Sequence, residues 1–208
     1  MIYIFPRSCI IKIKWWWNAY GTGYIPLPVE RRENVTGNMI VKPSVRQRFD
    51  GVMERGRVLF FSAPCGFGKS ALADALLSGR DVLRLNAGAA DFALPALSDG
   101  WDILLIDDFQ AMPEEPDGQA LCELIRSGPG KRFLLLSRGA PPGYLTAFQY
   151  SGLMTTLEAD DLLFDRGDVR KCFSGCGIAV TDSEIGGILR ESVGYPLGVA
   201  VTARCMSG

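Results

Sequence analysis

Lys69 and Ser70 directly follow two closely spaced glycines, Gly66 and Gly68. They stand between an apolar run, Val58-Leu-Phe-Phe-Ser62, and an Ala/Leu-rich segment that opens at Ala71. That order suits the holding of a polyphosphate. Phosphate oxygens need converging backbone N–H groups, glycine tolerates the backbone angles such a turn demands, and a helix starting where the turn ends adds its positive dipole end. On this reading Ala63, Pro64, Cys65, Gly66, Phe67, Gly68, Lys69, Ser70 and Ala71 surround the phosphates. Lys69 reaches the β- and γ-phosphates, and the Ser70 hydroxyl helps to coordinate Mg²⁺. The general pattern G-x-x-x-x-G-K-[ST] asks for a glycine where Ala63 stands, so the strand-loop-helix context carries more of the argument than the letters do. Cys65 reads as a small filler of the loop, not as a nucleophile.

A second group lies at Asp107 and Asp108, two adjacent carboxylates at the exit of the apolar run Ile103-Leu-Leu-Ile106. Carboxylates beside a buried strand are costly unless something pairs with them. A magnesium ion is the natural partner: Asp107 holds the metal, and Asp108 orients or deprotonates an attacking water. A third group, Ser137 and Arg138, closes the run Phe133-Leu-Leu-Leu136. If that strand lies between those carrying Lys69 and Asp107, Arg138 points at the terminal phosphate and can sense it through charge-assisted hydrogen bonds. Lys69, Asp108 and Arg138 are thus the residues read as catalytic, and Ser70 and Asp107 as the metal ligands.

These groups converge only if the intervening elements are parallel. Five short apolar runs, 57–62, 81–85, 103–106, 133–136 and 153–157, read as strands, and the segments near 70–78 and 118–127 as crossover helices. Runs apolar on both faces belong inside a covered sheet. After residue 160 helical periodicity takes over at about 165–174, 181–193 and 197–205. The expected architecture is therefore α/β, a five-stranded, mostly parallel sheet covered by helices on both faces, followed by a small helical subdomain. Three regions follow: an irregular basic lead-in over 1–37, a core over 38–160 and the helical part over 161–208. Residues 1–50 show no sustained period, and Trp15, Trp16 and Trp17 read as a patch covering the domain body.

Composition narrows the classes. With 208 residues, 48% hydrophobic and 22% charged, the chain can bury a substantial core, which excludes disorder and collagen-like repeats. There is no histidine, so Ser/His and Cys/His catalytic pairs and His-containing zinc sites are ruled out. The six cysteines (Cys9, Cys65, Cys122, Cys172, Cys176 and Cys205) form no CxxC pair and read as free thiols in a cytoplasmic protein. Residues 1–48 carry eight Lys/Arg against two Glu, and the rest fourteen against twenty-one acids. Lys12 and Lys14 interrupt the opening apolar run, so no signal peptide is expected, and no membrane span either.

Together the motifs resemble the STAND class of P-loop NTPases, specifically the nucleotide-binding domain of MalT-like, LuxR-type transcriptional regulators. APCGFGKS is similar to that family's loop, in which Ala63 is the usual residue. LLIDDFQ resembles its strand with paired aspartates, with Gln110 where a histidine is often found, and LLLSRGAPP its Ser-Arg sensor. Gly194-Tyr-Pro196 resembles its Gly-x-Pro motif, and Asp161-Leu-Leu-Phe164 its step into the helical region. The resemblance implies that Pro196 approaches the adenine base, that ATP or ADP with Mg²⁺ acts as a switch with slow hydrolysis, and that the partners are self-association or other regulator domains. Because the family's repeat array and helix-turn-helix do not fit after Gly208, a fragment without direct DNA binding is expected. Two other readings stay open: a catalytic P-loop enzyme, either an AAA-like motor or a small-molecule kinase, and a remnant that binds no nucleotide.

Overall fold

The computed structural model describes residues 39–207. Its first element is helix α1 (Pro43–Glu54), which begins with proline at the first helical turn, where the missing N–H costs nothing. Val45, Phe49 and Val52 recur on one face and are buried. Each buried side chain of this kind contributes roughly 1.5–3 kcal/mol in gross terms. This helix lies in the stretch, residues 1–50, in which the sequence shows no sustained period. Four apolar residues in twelve, Val45, Phe49, Val52 and Met53, with Gly51 in the interior, make a weak period that becomes visible only once the sheet supplies something to pack against.

Strands β1 (Val58–Ser62), β2 (Val82–Asn86), β3 (Ile103–Asp107), β4 (Arg132–Ser137) and β5 (Met154–Glu158) form one sheet in the order β2-β3-β4-β1-β5. Every neighbouring pair is parallel. Side-chain alternation divides the strands cleanly between two cores. Leu59, Phe61, Leu105, Leu134, Leu136 and Leu157 face α1 and α2 (Lys69–Leu76), whose Leu72, Ala73 and Leu76 complete that side. Val58, Phe60, Leu104, Ile106, Phe133 and Leu135 face the opposite way, against Leu121, Cys122 and Ile125 of α3 (Gln119–Ser127) and Phe148 of α4 (Thr146–Tyr150). The expected strands and sheet coverage are thus present, and the parallel pairing is complete.

A one-turn helix α5 (Ala159–Leu162) leads from β5 to α6 (Arg166–Gly175), α7 (Asp182–Ser192) and α8 (Pro196–Ser207). Capping boxes start two of these: Asp165 with Asp168 on α6, and Thr181 with Glu184 on α7. The three helices share a core of their own, in which Val169, Phe173, Ile185, Val199 and Ala203 are fully buried. Val193 and Gly194 both take left-handed backbone angles to reverse the chain between α7 and α8. Gly194 is required there for space as well, because a Cβ would come within 2.6 Å of the Phe164 carbonyl oxygen. Among the described residues no helix is long and apolar enough to cross a membrane. The tryptophan patch and Cys9 lie outside the described residues, and the other five cysteines are free.

Candidate functional site

Parallel strands deliver all their carboxyl ends to one edge of the sheet, and this strand order puts β4 directly between β1 and β3. In open α/β sheets that edge is where ligands are held. The loop after β1, the aspartates after β3 and Arg138 after β4 therefore meet at one edge, as the spacing argument requires.

The loop is shaped by Gly66 (φ 84°) and Gly68 (φ 74°), both in the left-handed region, with Gly68 capping α2. Pro64 and Cys65 are exposed, Phe67 is half-buried, and Ala63 is buried where β1 ends. Ala71 is exposed on the first turn of α2. Lys69 Nζ donates to the carbonyl oxygens of Ala63 at 2.5 Å and Pro64 at 3.0 Å, so its ammonium sits over the concave side of the loop. Burial pulls the Lys69 pKa below its ordinary value; nearby Cys65 opposes that, Arg138 adds to it, and Asp107 and Asp108 oppose it.

Ser70 Oγ donates to Asp107 Oδ2 at 2.8 Å. The two proposed metal ligands, 37 residues apart in sequence, are thus in contact at the helix start. A hydroxyl and a carboxylate oxygen form a hard donor pair, which suits a cation that keeps water and phosphate oxygens as its other ligands. Among the described residues no group of three or more Cys, Asp or Glu is arranged to hold a metal alone. The pair therefore fits Mg²⁺ delivered with a nucleotide better than it fits a metal held by protein ligands only.

Asp108 takes a left-handed backbone conformation (φ 50°), which turns its carboxylate away from Asp107. Its Oδ1 accepts from Arg138 Nη2 and from Gln110 Nε2, each at 3.0 Å. Burial raises the Asp108 pKa, but the hydrogen bonds from Gln110 and Arg138, the Arg138 charge and Asn86 outweigh it, and the net direction is down. Arg138 and Asp108 are 48% and 36% exposed, so their ion pair contributes at most about 1 kcal/mol. Such a pair can be exchanged for a phosphate contact.

The helical region reaches the same loop. Tyr195 donates its hydroxyl to the Cys65 carbonyl oxygen at 2.9 Å, and Leu197 N–H donates to the Gly66 carbonyl oxygen at 3.2 Å. The Tyr195 ring stacks edge-on against Phe67 at 5.3 Å. Pro196 is buried at the start of α8, between these two contacts. A small recess beside the loop is lined by Met39, Ile40, Lys42, Phe67, Leu162 and Phe164, and Pro196 is not part of its wall.

Sequence reasoning overlooked Gln110, Asn86 and Tyr195 as site residues. Asn86 was detectable as the polar end of β2, paired in register with Asp107. Gln110 stands two residues past the Asp108 carboxylate, and Tyr195 is the variable residue of the Gly-x-Pro triplet.

No protein-family model and no curated protein matches this chain. Solved structures do. A variant of RuvB from Thermotoga maritima aligns at 18% identity over 79% of this chain and 61% of its own, with a TM-score of 0.55. A Walker-type ATPase of Pyrococcus abyssi aligns at 15% identity over 86% of this chain and 69% of its own, with a TM-score of 0.57. The fold is that of the P-loop NTPases. At these identities the likeness concerns the P-loop NTPase fold alone, and the chain spans about three-fifths of the RuvB chain's length.

Proposed function

We propose that this chain is the ATP/ADP-binding regulatory NTPase module of a MalT-like transcriptional regulator, a nucleotide switch of slow turnover acting in the cytoplasm. The observation that carries the reading is the contact of Tyr195 and Leu197 with the carbonyls of Cys65 and Gly66. It joins the helical region to the loop that this reading assigns to the phosphates. A ligand in that loop touches two bodies, the core over 38–160 and the helical part over 161–208, and it biases their arrangement by its differential affinity for the two states.

The geometry is consistent with a role for each site residue. The loop over Ala63 to Ala71 would surround the phosphates, with backbone N–H groups offered from Cys65 onward since Pro64 has none and Ala63 N–H is held by the Ser137 carbonyl oxygen, and Lys69 would exchange its loop carbonyls for β- and γ-phosphate oxygens. Ser70 and Asp107 would hold Mg²⁺, which would supply charge neutralisation at the phosphates. Asp108 orients the attacking water, and Arg138 senses the terminal phosphate. Pro196, at the start of α8 and next to the loop contacts of Tyr195 and Leu197, would approach the base from the helical region. Self-association or neighbouring regulator domains read out the change.

The decisive experiment is a thermal shift with Mg-ADP and Mg-ATP. A ligand at 100 times its Kd stabilises by about 2.7 kcal/mol, so a clear shift is expected in the intact chain and none in Lys69→Ala. No shift in the intact chain overturns the reading. Steady-state turnover above about 1 s⁻¹, in the ordinary enzyme range, would favour a motor or kinase instead.

A further inference from the structure

Gln110 is exposed, yet both ends of its amide are engaged. Nε2 donates to Asp108 Oδ1 and Oε1 accepts from the Arg138 backbone N–H, both at 3.0 Å. Arg138 Nη2 donates to the same Asp108 oxygen at 3.0 Å, which closes a ring of three residues. The ring admits one orientation of the amide, since the ionised carboxylate only accepts and the backbone N–H only donates. No apolar packing accounts for a glutamine at this place, so its role is polar.

We infer that Gln110 is a specificity-determining residue for the terminal phosphate: by holding Arg138 on Asp108, it sets how strongly ATP is preferred over ADP. The inference rests on the nucleotide reading above. Arg138 contacts a terminal phosphate by releasing Asp108, and their half-exposed ion pair alone resists weakly. Gln110 holds both partners in place, donating to the carboxylate and accepting from the backbone N–H of the arginine, so that the pair is kept in register. ADP has no γ-phosphate and leaves the ring closed. Removing Gln110 therefore favours ATP and leaves ADP unaffected.

The test is equilibrium binding, with Mg²⁺, of ADP and of a non-hydrolysable ATP analogue. In Gln110→Ala the ratio of ADP to analogue Kd should rise about threefold to tenfold, the yield of one ordinary hydrogen bond, while the Kd for ADP stays within twofold. In an Arg138→Ala background the same substitution should leave the ratio unchanged, because the sensing group is gone. A purely structural role would move both affinities together in either background. ADP bound normally with an unchanged ratio overturns the inference and leaves the nucleotide reading standing. Failure of the intact chain to bind ADP overturns that reading itself. Loss of ADP binding in both Gln110→Ala and Gln110→Met would make the residue structural and also overturn the inference.

Discussion

The hydroxyl of Tyr195 occupies the space that a side chain on Gly66 would need: a Cβ built there would lie 1.7 Å from the phenol oxygen. Gly66 is thus fixed twice, by its left-handed backbone (φ 84°) and by a residue 129 positions later in the chain. Gly66→Ala should destabilise the protein by at least about 1–2 kcal/mol from the backbone conformation alone, and by more because Tyr195 must move. The steric part is separable. In a denaturation double-mutant cycle, Gly66→Ala should cost less in a Tyr195→Ala background than in the intact chain. Additive costs would mean that the two residues do not meet.

Asp108 differs from Asp107 in what it touches. Asp107 is taken up by Ser70 and by the Asp108 backbone N–H, whereas Asp108 faces Arg138 and Gln110. Asp108→Asn should therefore keep Mg-ADP affinity within a few-fold and lower single-turnover hydrolysis by about 10²-fold or more, the usual weight of a positioned acid or base. Hydrolysis at the parent rate would remove Asp108 from the water-orienting role. Asp107→Asn, by contrast, should weaken binding that depends on Mg²⁺.

What the sequence made legible follows from where each signal resides. β1, β3 and β4 are buried on both faces, so Val58-Leu-Phe-Phe and its counterparts stand out without any partner. Asp107 and Arg138 mark strand ends and Lys69 opens the helix that follows β1, and a parallel sheet brings strand ends and helix starts to a shared edge. The contacts that complete the site have no such local mark. Gln110 meets Arg138 because Asp108 turns left-handed and the short 3₁₀ helix Phe109–Ala111 swings the amide back toward β4. Tyr195 reaches Cys65 across 130 residues of chain. Helix α1 is held by Phe49, fully buried beneath the guanidinium groups of Arg46 and Arg80, a pairing that no window of consecutive residues contains.

The helical region also carries a defined response to acid. Asp165 caps α6 by accepting from Asp168 N–H at 2.9 Å. That bond lowers the Asp165 pKa; burial opposes it, and Gly167 N–H, Lys42 and Lys171 add to it. Glu184 at the start of α7 is lowered in the same direction by the backbone and hydroxyl of Thr181. A carboxylate whose folded pKa lies below its unfolded value binds more protons when unfolded, so its stabilisation is complete above the unfolded pKa, about 3.9 for aspartate. It is lost as pH falls through the lower folded value. Asparagine caps as well as aspartate but does not titrate. Asp165→Asn should therefore stay within about 1 kcal/mol of the parent at pH 7, the scale of a charge at a helix start, and should lose less stability than the parent between pH 5 and 3. Urea denaturation at both ends of that range measures the difference, and parallel losses in the two proteins would show that the acid response originates elsewhere.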